Sequence, residues 1–276
     1  MKAIENDRHM KNYHHINYEV MLDTKHQYEN TESLKEAVRD SISRQYMVTE
    51  EDEISQEMSS DETTKYIVSG KRSFEAAKGY AGKKIAVLNF ANNHSIGGAP
   101  FSAGAQEESL CRCSTLFPCL EAMKVPFYMK HRKQYEAREI GNWGSDDLIY
   151  TPDVVVFKTD ERTDPVYPKT MPQDEWYKVN VITCAAPEIQ RMNGIPRDYE
   201  TRIRSRVKKI LDVAAREGNE VLILGAWGCG AFKNPSHIVA RVFRTLLKDY
   251  SFEVVEFALA TNDDVSNSVF GNNNNY

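Results

Sequence analysis

The chain has 276 residues, of which 41% are hydrophobic and 27% are charged, so it can bury a core without disulfides or bound metal. Its formal net charge of −5 argues against a protein that coats nucleic acid through bulk positive charge, and any anionic ligand must be held locally. No apolar run approaches the roughly 20 residues that span a bilayer, and the N-terminus lacks the apolar segment of a signal peptide. We therefore expect a cytoplasmic protein with no membrane partner.

The first part of the chain, residues 1–62, is polar and acidic. Ser33 and Glu36 form a capping-box pattern, and apolar residues recur at helical spacing over 34–45, which predicts a helix. The run over 50–62 is nearly all acidic or small and polar, which is typical of a solvated linker. We interpret this part as an N-terminal helical extension followed by an acidic linker.

From about residue 63 the pattern changes to strands alternating with helices, which indicates an α/β layered domain. A helix is predicted over 73–80, and two further helices, around 203–214 and 238–247, have an apolar stripe opposite polar residues. Strands are predicted from runs of apolar and β-branched residues over 65–69, 84–90, 153–158, 178–184, 220–225 and 252–260.

These changes in composition divide the chain into three parts. Residues 1–62 form the extension and linker, and residues 63–262 form one α/β domain. Residues 263–276 end in the low-complexity run GNNNNY, and we expect this tail to be disordered.

A loop of small residues follows the strand predicted over 84–90 and ends in Gln106-Glu107-Glu108. Gly97 and Gly98 permit positive φ and allow backbone to approach a ligand closely, while Gln106 opens a predicted helix. This order places two carboxylates at a helix N-terminus that faces a glycine loop. For the acidic residues alone, ordinary capping is an equally good explanation.

A second loop, over 225–235, follows the strand predicted over 220–225 and enters a helix near Pro235. A strand, a glycine turn and a helix in this order can bind a phosphate through consecutive backbone N–H groups. The loop is neither a Walker A motif nor a dinucleotide-binding fingerprint, and a turn needed only for packing remains an alternative. Because both loops follow the carboxyl ends of strands, together they predict a phosphate-containing substrate with a bond that carboxylates can break.

These residues resemble the signature of the microbial-type poly(ADP-ribose) glycohydrolases, a branch of the macrodomain fold. In that signature three glycines are followed by six to eight residues and then Gln-Glu-Glu. Here Gly97-Gly98-Ala99 is followed by six residues and Gln106-Glu107-Glu108. The likeness continues in order through SLCR over 109–112, ITCAAP over 182–187 and GAWGCG over 225–230. Gln-Glu-Glu combined with GAWGCG at this distance is strongly specific.

The resemblance implies an α/β fold, a three-layer α/β/α macrodomain with a mixed central sheet, that binds ADP-ribose or poly(ADP-ribose), including polymer on ADP-ribosylated proteins. The bond cleaved would be the ribose–ribose O-glycosidic bond, with release of ADP-ribose. Glu108 would be the general acid and base, and Glu107 would hold the ribose hydroxyls. The loop from Gly228 to Phe232 would wrap the diphosphate. The other implied substrate-binding residues are Gln106, Asn92, Gly97, Gly98, Ala99, Cys229, Gly230 and Ala231.

The glycine loop departs from the family signature at one position. Either Ala99 replaces the third glycine, or Ile96 replaces the first and the spacer has seven residues. A side chain there would narrow the approach of the distal ribose or change the loop path, because non-glycine residues resist positive φ. Two alternatives to polymer hydrolysis therefore stay open: an ADP-ribose-binding reader without activity, and a hydrolase of another ADP-ribose-containing nucleotide.

The chain has five cysteines, an odd number that matches no secreted disulfide framework, so we expect reduced thiols. Cys111 and Cys113 have CxC rather than CxxC spacing, and with Cys119 they are predicted to be core thiols rather than zinc ligands. Acid–base catalysis by carboxylates requires no metal. We expect no metal, no cofactor, no sequence-specific contact with nucleic acid, and a monomer.

Overall fold

The computed structural model describes residues 2–54, 64–160 and 168–260, with side chains from residue 14 onward. The predicted tail over 263–276 and most of the predicted acidic linker lie outside the described residues. In the described part of the chain, no helix is long and apolar enough to cross a membrane.

The strands of the described residues form one mixed sheet of seven strands. In chain order the strands are β1 (Tyr46–Val48), β2 (Lys65–Ser69), β3 (Ile85–Phe90), β4 (Leu148–Val156), β5 (Tyr177–Cys184), β6 (Val221–Leu224) and β7 (Val254–Ala258). Their order across the sheet is β1-β4-β5-β3-β6-β7-β2. Neighbours from β5 to β2 are parallel, whereas β4 runs antiparallel to both β1 and β5.

Helices cover both faces of this sheet, which confirms the predicted α/β/α layering with a mixed sheet. They are α1 (Lys2–Asn30), α2 (Glu32–Arg44), α3 (Ser73–Lys78), α4 (Gln106–Cys113), α5 (Leu116–Ala122), α6 (Lys130–Glu136), α7 (Tyr199–Arg216) and α8 (Ser236–Leu247). A π-helical segment, Lys124–Met129, precedes α6. The apolar stripes of α7 and α8 pack on one face of the sheet, as their sequence patterns predicted. The apolar residues of α3, α4 and α5 pack on the other face.

Every strand predicted from the sequence is present. The predicted limits of one strand, β4, contain a large error. Strand β4 begins at Leu148, five residues before the predicted start, and passes through Pro152. The pairing with β5 shifts register between Thr151 and Val154, and Asp153 has a φ of +53°. A bulge of this kind lets a strand continue past a proline, which lacks the N–H needed for the ladder.

Two N-terminal features differ from the sequence prediction. The capping box of Ser33 and Glu36 is wrong, because α2 begins at Glu32 with Thr31 at its N-cap. Helix α1 and strand β1 were not predicted, and both join the rest of the chain: β1 pairs with β4, and Met21 of α1 is fully buried among residues of α3, α4 and α5.

The first prediction concerns the docking of α1. Met21 has no exposed surface, whereas the neighbouring Leu22 is 40% exposed. Met21→Ala should lower the free energy of unfolding by about 2–5 kcal/mol, because it removes buried apolar contacts and leaves a cavity. Leu22→Ala, the matched control, should change it by less than about 0.5 kcal/mol. Urea unfolding followed by circular dichroism measures both, and equal effects would show that α1 is not packed on the core.

Candidate active site

A cavity of about 740 Å³ lies at the carboxyl ends of the parallel strands, a size and position usual for ligand sites of α/β proteins. Its walls come mainly from the loop between β3 and α4 and the loop between β6 and α8. Ten of the sequence-predicted site residues line it: Asn92, Gly98, Gln106, Glu107, Glu108, Gly228, Cys229, Gly230, Ala231 and Phe232. The other two, Gly97 and Ala99, are their neighbours in the glycine loop.

Both glycines of the first loop have the positive φ that glycine adopts readily, +63° at Gly97 and +69° at Gly98. A Cβ at Gly97 would lie 2.8 Å from the sulfur of Cys111. A Cβ at Gly98 would overlap the carboxyl group of Glu108 and lie 3.3 Å from Oε2 of Glu107. Glycine is therefore required at both positions, for backbone conformation and for space.

Glycine is not required at the position where the loop departs from the family signature, which is either Ile96 or Ala99. Neither Ile96 nor Ala99 has a positive φ, and Ala99 is exposed. The backbone N–H of Ala99 donates a hydrogen bond to Oε1 of Glu108 at 3.1 Å. The alanine methyl group thus causes no backbone strain, and the strain expected from a missing glycine is absent.

Glu107 lies at the start of α4 and is 3% exposed. Its Oε1 accepts a hydrogen bond from Nδ2 of Asn89 on β3 at 3.2 Å, and its Oε2 accepts one from the backbone N–H of Asn92 at 2.9 Å. Burial raises the pKa of the Glu107 carboxyl well above its ordinary value, and the charge of Glu108 adds to this, against the lowering effect of the two hydrogen bonds.

Glu108 is 8% exposed and faces the cavity. While Oε1 accepts the hydrogen bond from Ala99, Oε2 has no hydrogen-bond partner among the described residues. The loop therefore fixes one oxygen of this carboxyl group and leaves the other available. Such a group can exchange a proton with a bound molecule.

Two of the predicted substrate-binding side chains brace the loop itself. Oε1 of Gln106 accepts a hydrogen bond from the backbone N–H of Phe90 at 2.8 Å, and its Nε2 donates to the carbonyl of Leu88 at 2.8 Å. This ties the start of α4 to the end of β3. Oδ1 of Asn92 accepts hydrogen bonds from the backbone N–H groups of His94 and Ser95. These bonds close a turn at the beginning of the loop.

The second loop offers backbone donors. The backbone N–H groups of Gly230, Ala231 and Phe232 make no hydrogen bond to any described part of the chain. Because Gly230 has no atom within 4 Å of the place where a Cβ would be, the loop is open to a ligand there. Consecutive N–H groups without an internal partner, just before the N-terminus of α8, are an arrangement that can accept an anion.

The shape of this second loop depends on two residues with positive φ, Gly228 at +72° and Lys233 at +61°. A Cβ at Gly228 would overlap Ala186 and lie 2.6 Å from Nδ2 of Asn234. Asn234 is buried and donates to the carbonyls of Pro187 and Gly228, both at 2.9 Å. A non-glycine residue such as Lys233 in the left-handed region stores strain, which is frequent at binding loops.

The structure adds a polar cluster to the cavity that was not predicted. Nε of Arg72 donates to Oδ1 of Asp160 at 2.8 Å, and the hydroxyl of Ser109 donates to the same oxygen at 2.6 Å. These three residues are distant in sequence, and no local motif connects them. Ser109 follows Glu108 directly, which is the one signal that places it near the site.

Three cysteines of α4 and α5 are core residues, as predicted. Cys111, Cys113 and Cys119 have no exposed surface, and burial raises the pKa of each thiol. Among the residues that the structure describes, no group of three or more His, Cys, Asp or Glu side chains could hold a metal ion.

The sheet, its two helical layers and the cavity with paired carboxylates at the strand ends define a macrodomain. More narrowly, the chain belongs to the family described as "Microbial-type PARG, catalytic domain", which it matches over residues 12–159, where PARG is poly(ADP-ribose) glycohydrolase. The family predicted from the sequence is confirmed. No curated protein sequence gives a significant match.

Solved structures agree with this family. PARG from Thermomonospora curvata is 29% identical, with 92% of this chain and 98% of that chain covered and a TM-score of 0.79. The same enzyme bound to the inhibitor ADP-HPD is 28% identical, with 93% and 98% covered and a TM-score of 0.76. PARG from Deinococcus radiodurans in complex with ADP-ribose is 30% identical, with 84% and 95% covered and a TM-score of 0.73.

The second prediction tests the requirement for glycine at residue 98. Gly98→Ala should destabilise the fold by at least about 1–2 kcal/mol, the cost of a left-handed non-glycine residue, and more where the methyl group displaces Glu108. Gly104→Ala is the matched control, because Gly104 has no positive φ and no atom within 4 Å of the new methyl group. Chemical denaturation of both variants measures the difference, and two equally stable variants would contradict the assigned loop geometry.

The third prediction concerns pH. Because the folded state holds the proton of Glu107 more tightly than the unfolded chain does, stability falls as pH rises above the ordinary value of 4.5. The loss is at most about 1.4 kcal/mol per pH unit. Glu107→Gln removes this titration, so its stability relative to wild type should improve between about pH 4.5 and pH 7. Urea unfolding across that range measures this, and a constant difference would contradict a raised pKa.

Proposed function

We propose that this protein hydrolyses the ribose–ribose O-glycosidic bond of poly(ADP-ribose) and releases ADP-ribose, with Glu108 as general acid and base. The observation that carries the proposal is the placement of Glu108: one carboxyl oxygen accepts the N–H of Ala99, and the other is free at the wall of the cavity. Membership of the PARG catalytic-domain family supports the reaction, and the relatives crystallised with ADP-ribose support the ligand.

The substrate is held mainly by backbone. The N–H groups of Gly230, Ala231 and Phe232 would bind the diphosphate, which needs several donors and no large positive field. This arrangement suits a chain with a net charge of −5. Phe232, which is half-buried at the edge of the loop, would lie against the distal ribose.

The distal ribose would then extend towards the glycine loop and the two glutamates. Both oxygens of Glu107 already accept hydrogen bonds, from Asn89 and Asn92, but each carboxyl oxygen has a second lone pair. Glu107 would use these to hold the ribose hydroxyls. Gly98 lines the same cavity as both carboxyl groups, so the sugar would meet all three residues there.

Cleavage would proceed by two proton transfers at Glu108. The protonated carboxyl donates its proton to the glycosidic oxygen, and the bonding electrons leave with that oxygen to form a free ribose hydroxyl on the shortened polymer. The remaining sugar carbon acquires oxocarbenium character. The carboxylate then removes a proton from an attacking water, whose oxygen bonds to that carbon, and ADP-ribose is released.

The fourth prediction tests this role. Glu108→Gln should lower the rate of ADP-ribose release from poly(ADP-ribose) by about 10²–10⁴-fold, because an amide cannot donate the required proton. Its affinity for ADP-ribose should change little, because the amide oxygen still accepts the N–H of Ala99. Release is measured by chromatography of the nucleotide products and affinity by calorimetry. The exposed Glu36→Gln serves as the control and should retain full activity.

Three outcomes would contradict the proposal in different ways. Equal release by wild type and Glu108→Gln would exclude Glu108 as the acid. Tight ADP-ribose binding without hydrolysis of any ADP-ribosyl substrate would make the protein a reader. Cleavage confined to another member of a panel of ADP-ribose-containing nucleotides would make it a hydrolase of that nucleotide.

A further inference from the structure

The residues between Gly98 and α4 connect the glycine loop to the two glutamates, and we refer to residues 99–105 as the linking segment. Its first residue, Ala99, donates the hydrogen bond that fixes Glu108. The carbonyl of Ala99 accepts hydrogen bonds from the backbone N–H groups of Ser102 and Ala103, at 3.0 and 2.9 Å. Ala99 thus joins two contacts, since its N–H bonds Glu108 and its carbonyl anchors the turn that follows.

Two side chains from outside the linking segment hold its carbonyl groups. Nδ2 of Asn17, on α1, donates to the carbonyls of Ser102 at 3.0 Å and Ala103 at 3.2 Å. Nη1 of Arg112, on α4, donates to the carbonyls of Pro100 at 2.8 Å and Ala103 at 2.7 Å. The carbonyl of Ala103 is thus shared by the N-terminal helix and the helix that carries the two glutamates.

Arg112 is unusual because it is buried and forms no ion pair with a carboxylate in the described ranges. A buried guanidinium without a counter-ion is costly unless its N–H groups are hydrogen-bonded, and here carbonyls of the linking segment accept them. The hydroxyl of Thr24, also on α1, donates to the carbonyl of Arg112 at 2.6 Å. Helix α1 therefore contacts both the linking segment and the residue that braces it from the other side.

An aromatic contact lies beside these hydrogen bonds. The ring of Tyr18 on α1 is 5.8 Å from the ring of Phe101 in the linking segment. Phe101 in turn makes an edge contact with Phe117 of α5, 6.4 Å between ring centres. Successive residues of α1, Asn17 and Tyr18, thus contact successive residues of the segment, Phe101 and Ser102.

We propose that Asn17 is a positioning residue, through which α1 holds the linking segment in the conformation that presents the N–H of Ala99 to Glu108. The catalytic meaning of this inference rests on the proposed function. It gives the N-terminal extension a role in the reaction, although neither Asn17 nor any other described side chain of α1 lines the cavity.

The chemistry of the Asn17 side chain makes a graded test possible. Alanine at this position removes the donor, whereas aspartate replaces it by an acceptor that is repelled by two carbonyl oxygens. We expect kcat for ADP-ribose release to fall about 3- to 10-fold in Asn17→Ala, the loss of a modest hydrogen bond, and about tenfold further in Asn17→Asp. The affinity for ADP-ribose should change less than kcat, because the diphosphate loop is not altered.

The matched controls are Asn30→Ala and Asn30→Asp. Asn30 is exposed on the same helix, and its Nδ2 donates to the carbonyl of His26 within α1. These variants make the same chemical changes away from the linking segment, and their kcat should equal that of wild type.

Amide hydrogen exchange provides a second readout that needs no activity. In both Asn17 variants, exchange should accelerate in peptides covering 97–105 and stay unchanged in β6. Unchanged exchange over 97–105, or a kcat for Asn17→Asp equal to wild type, would overturn the inference. If wild type itself releases no ADP-ribose, the proposed function fails, and exchange alone decides whether Asn17 holds the segment.

Discussion

The contact between the backbone of Gly98 and the carboxyl groups of Glu107 and Glu108 is the constraint on which the site depends. Only a residue without Cβ, at a φ of +69°, brings the chain this close to two carboxylates. The surrounding structure supplies both sides of the contact. Strand β3 leads into the glycine loop, and Gln106 ties the start of α4 to the end of that strand. The linking segment connects the glycine loop to α4. A shift of any one of these parts would separate the loop from the acids.

The sheet also determines the electrostatics of the site. Asn89 lies on β3 beside Thr183 of β5, and its Nδ2 reaches both the Thr183 hydroxyl and Glu107, each at 3.2 Å. A carboxyl group buried in this way is expensive to ionise, and its raised pKa expresses that cost. The opposite wall carries the neutral backbone amides of Gly230, Ala231 and Phe232, so the cavity places two carboxyl groups across from uncharged hydrogen-bond donors.

Much of the architecture follows from local sequence patterns, and the errors have physical reasons. The central strands are continuous apolar runs because both of their faces are covered, and the stripes on α7 and α8 match a 3.6-residue period. Helix α1 escaped prediction because it is polar over most of its surface, and its place is set by Met21 and by hydrogen bonds to partners more than eighty residues away. The first five residues of β4 were missed because a proline, Pro152, normally interrupts a strand. Here the bulge at Asp153 allows the pairing with β5 to continue past it. The two loops were predictable because glycine and carboxylate chemistry is local, whereas the Arg72, Ser109 and Asp160 cluster arises only from folding.

The exposed alanine at position 99 bears on how such a site can diverge. Two backbone conformations, at Gly97 and Gly98, admit no other residue, while the third position contributes an N–H that every residue except proline possesses. Residue 99 is exposed and has no positive φ, so its backbone conformation does not require glycine. A search pattern written as three consecutive glycines is therefore narrower than the geometry it represents, and it would pass over chains that keep the same arrangement of loop and carboxylates. Two glycines followed by any residue but proline, at the observed distance from the paired glutamates, describe the physical requirement.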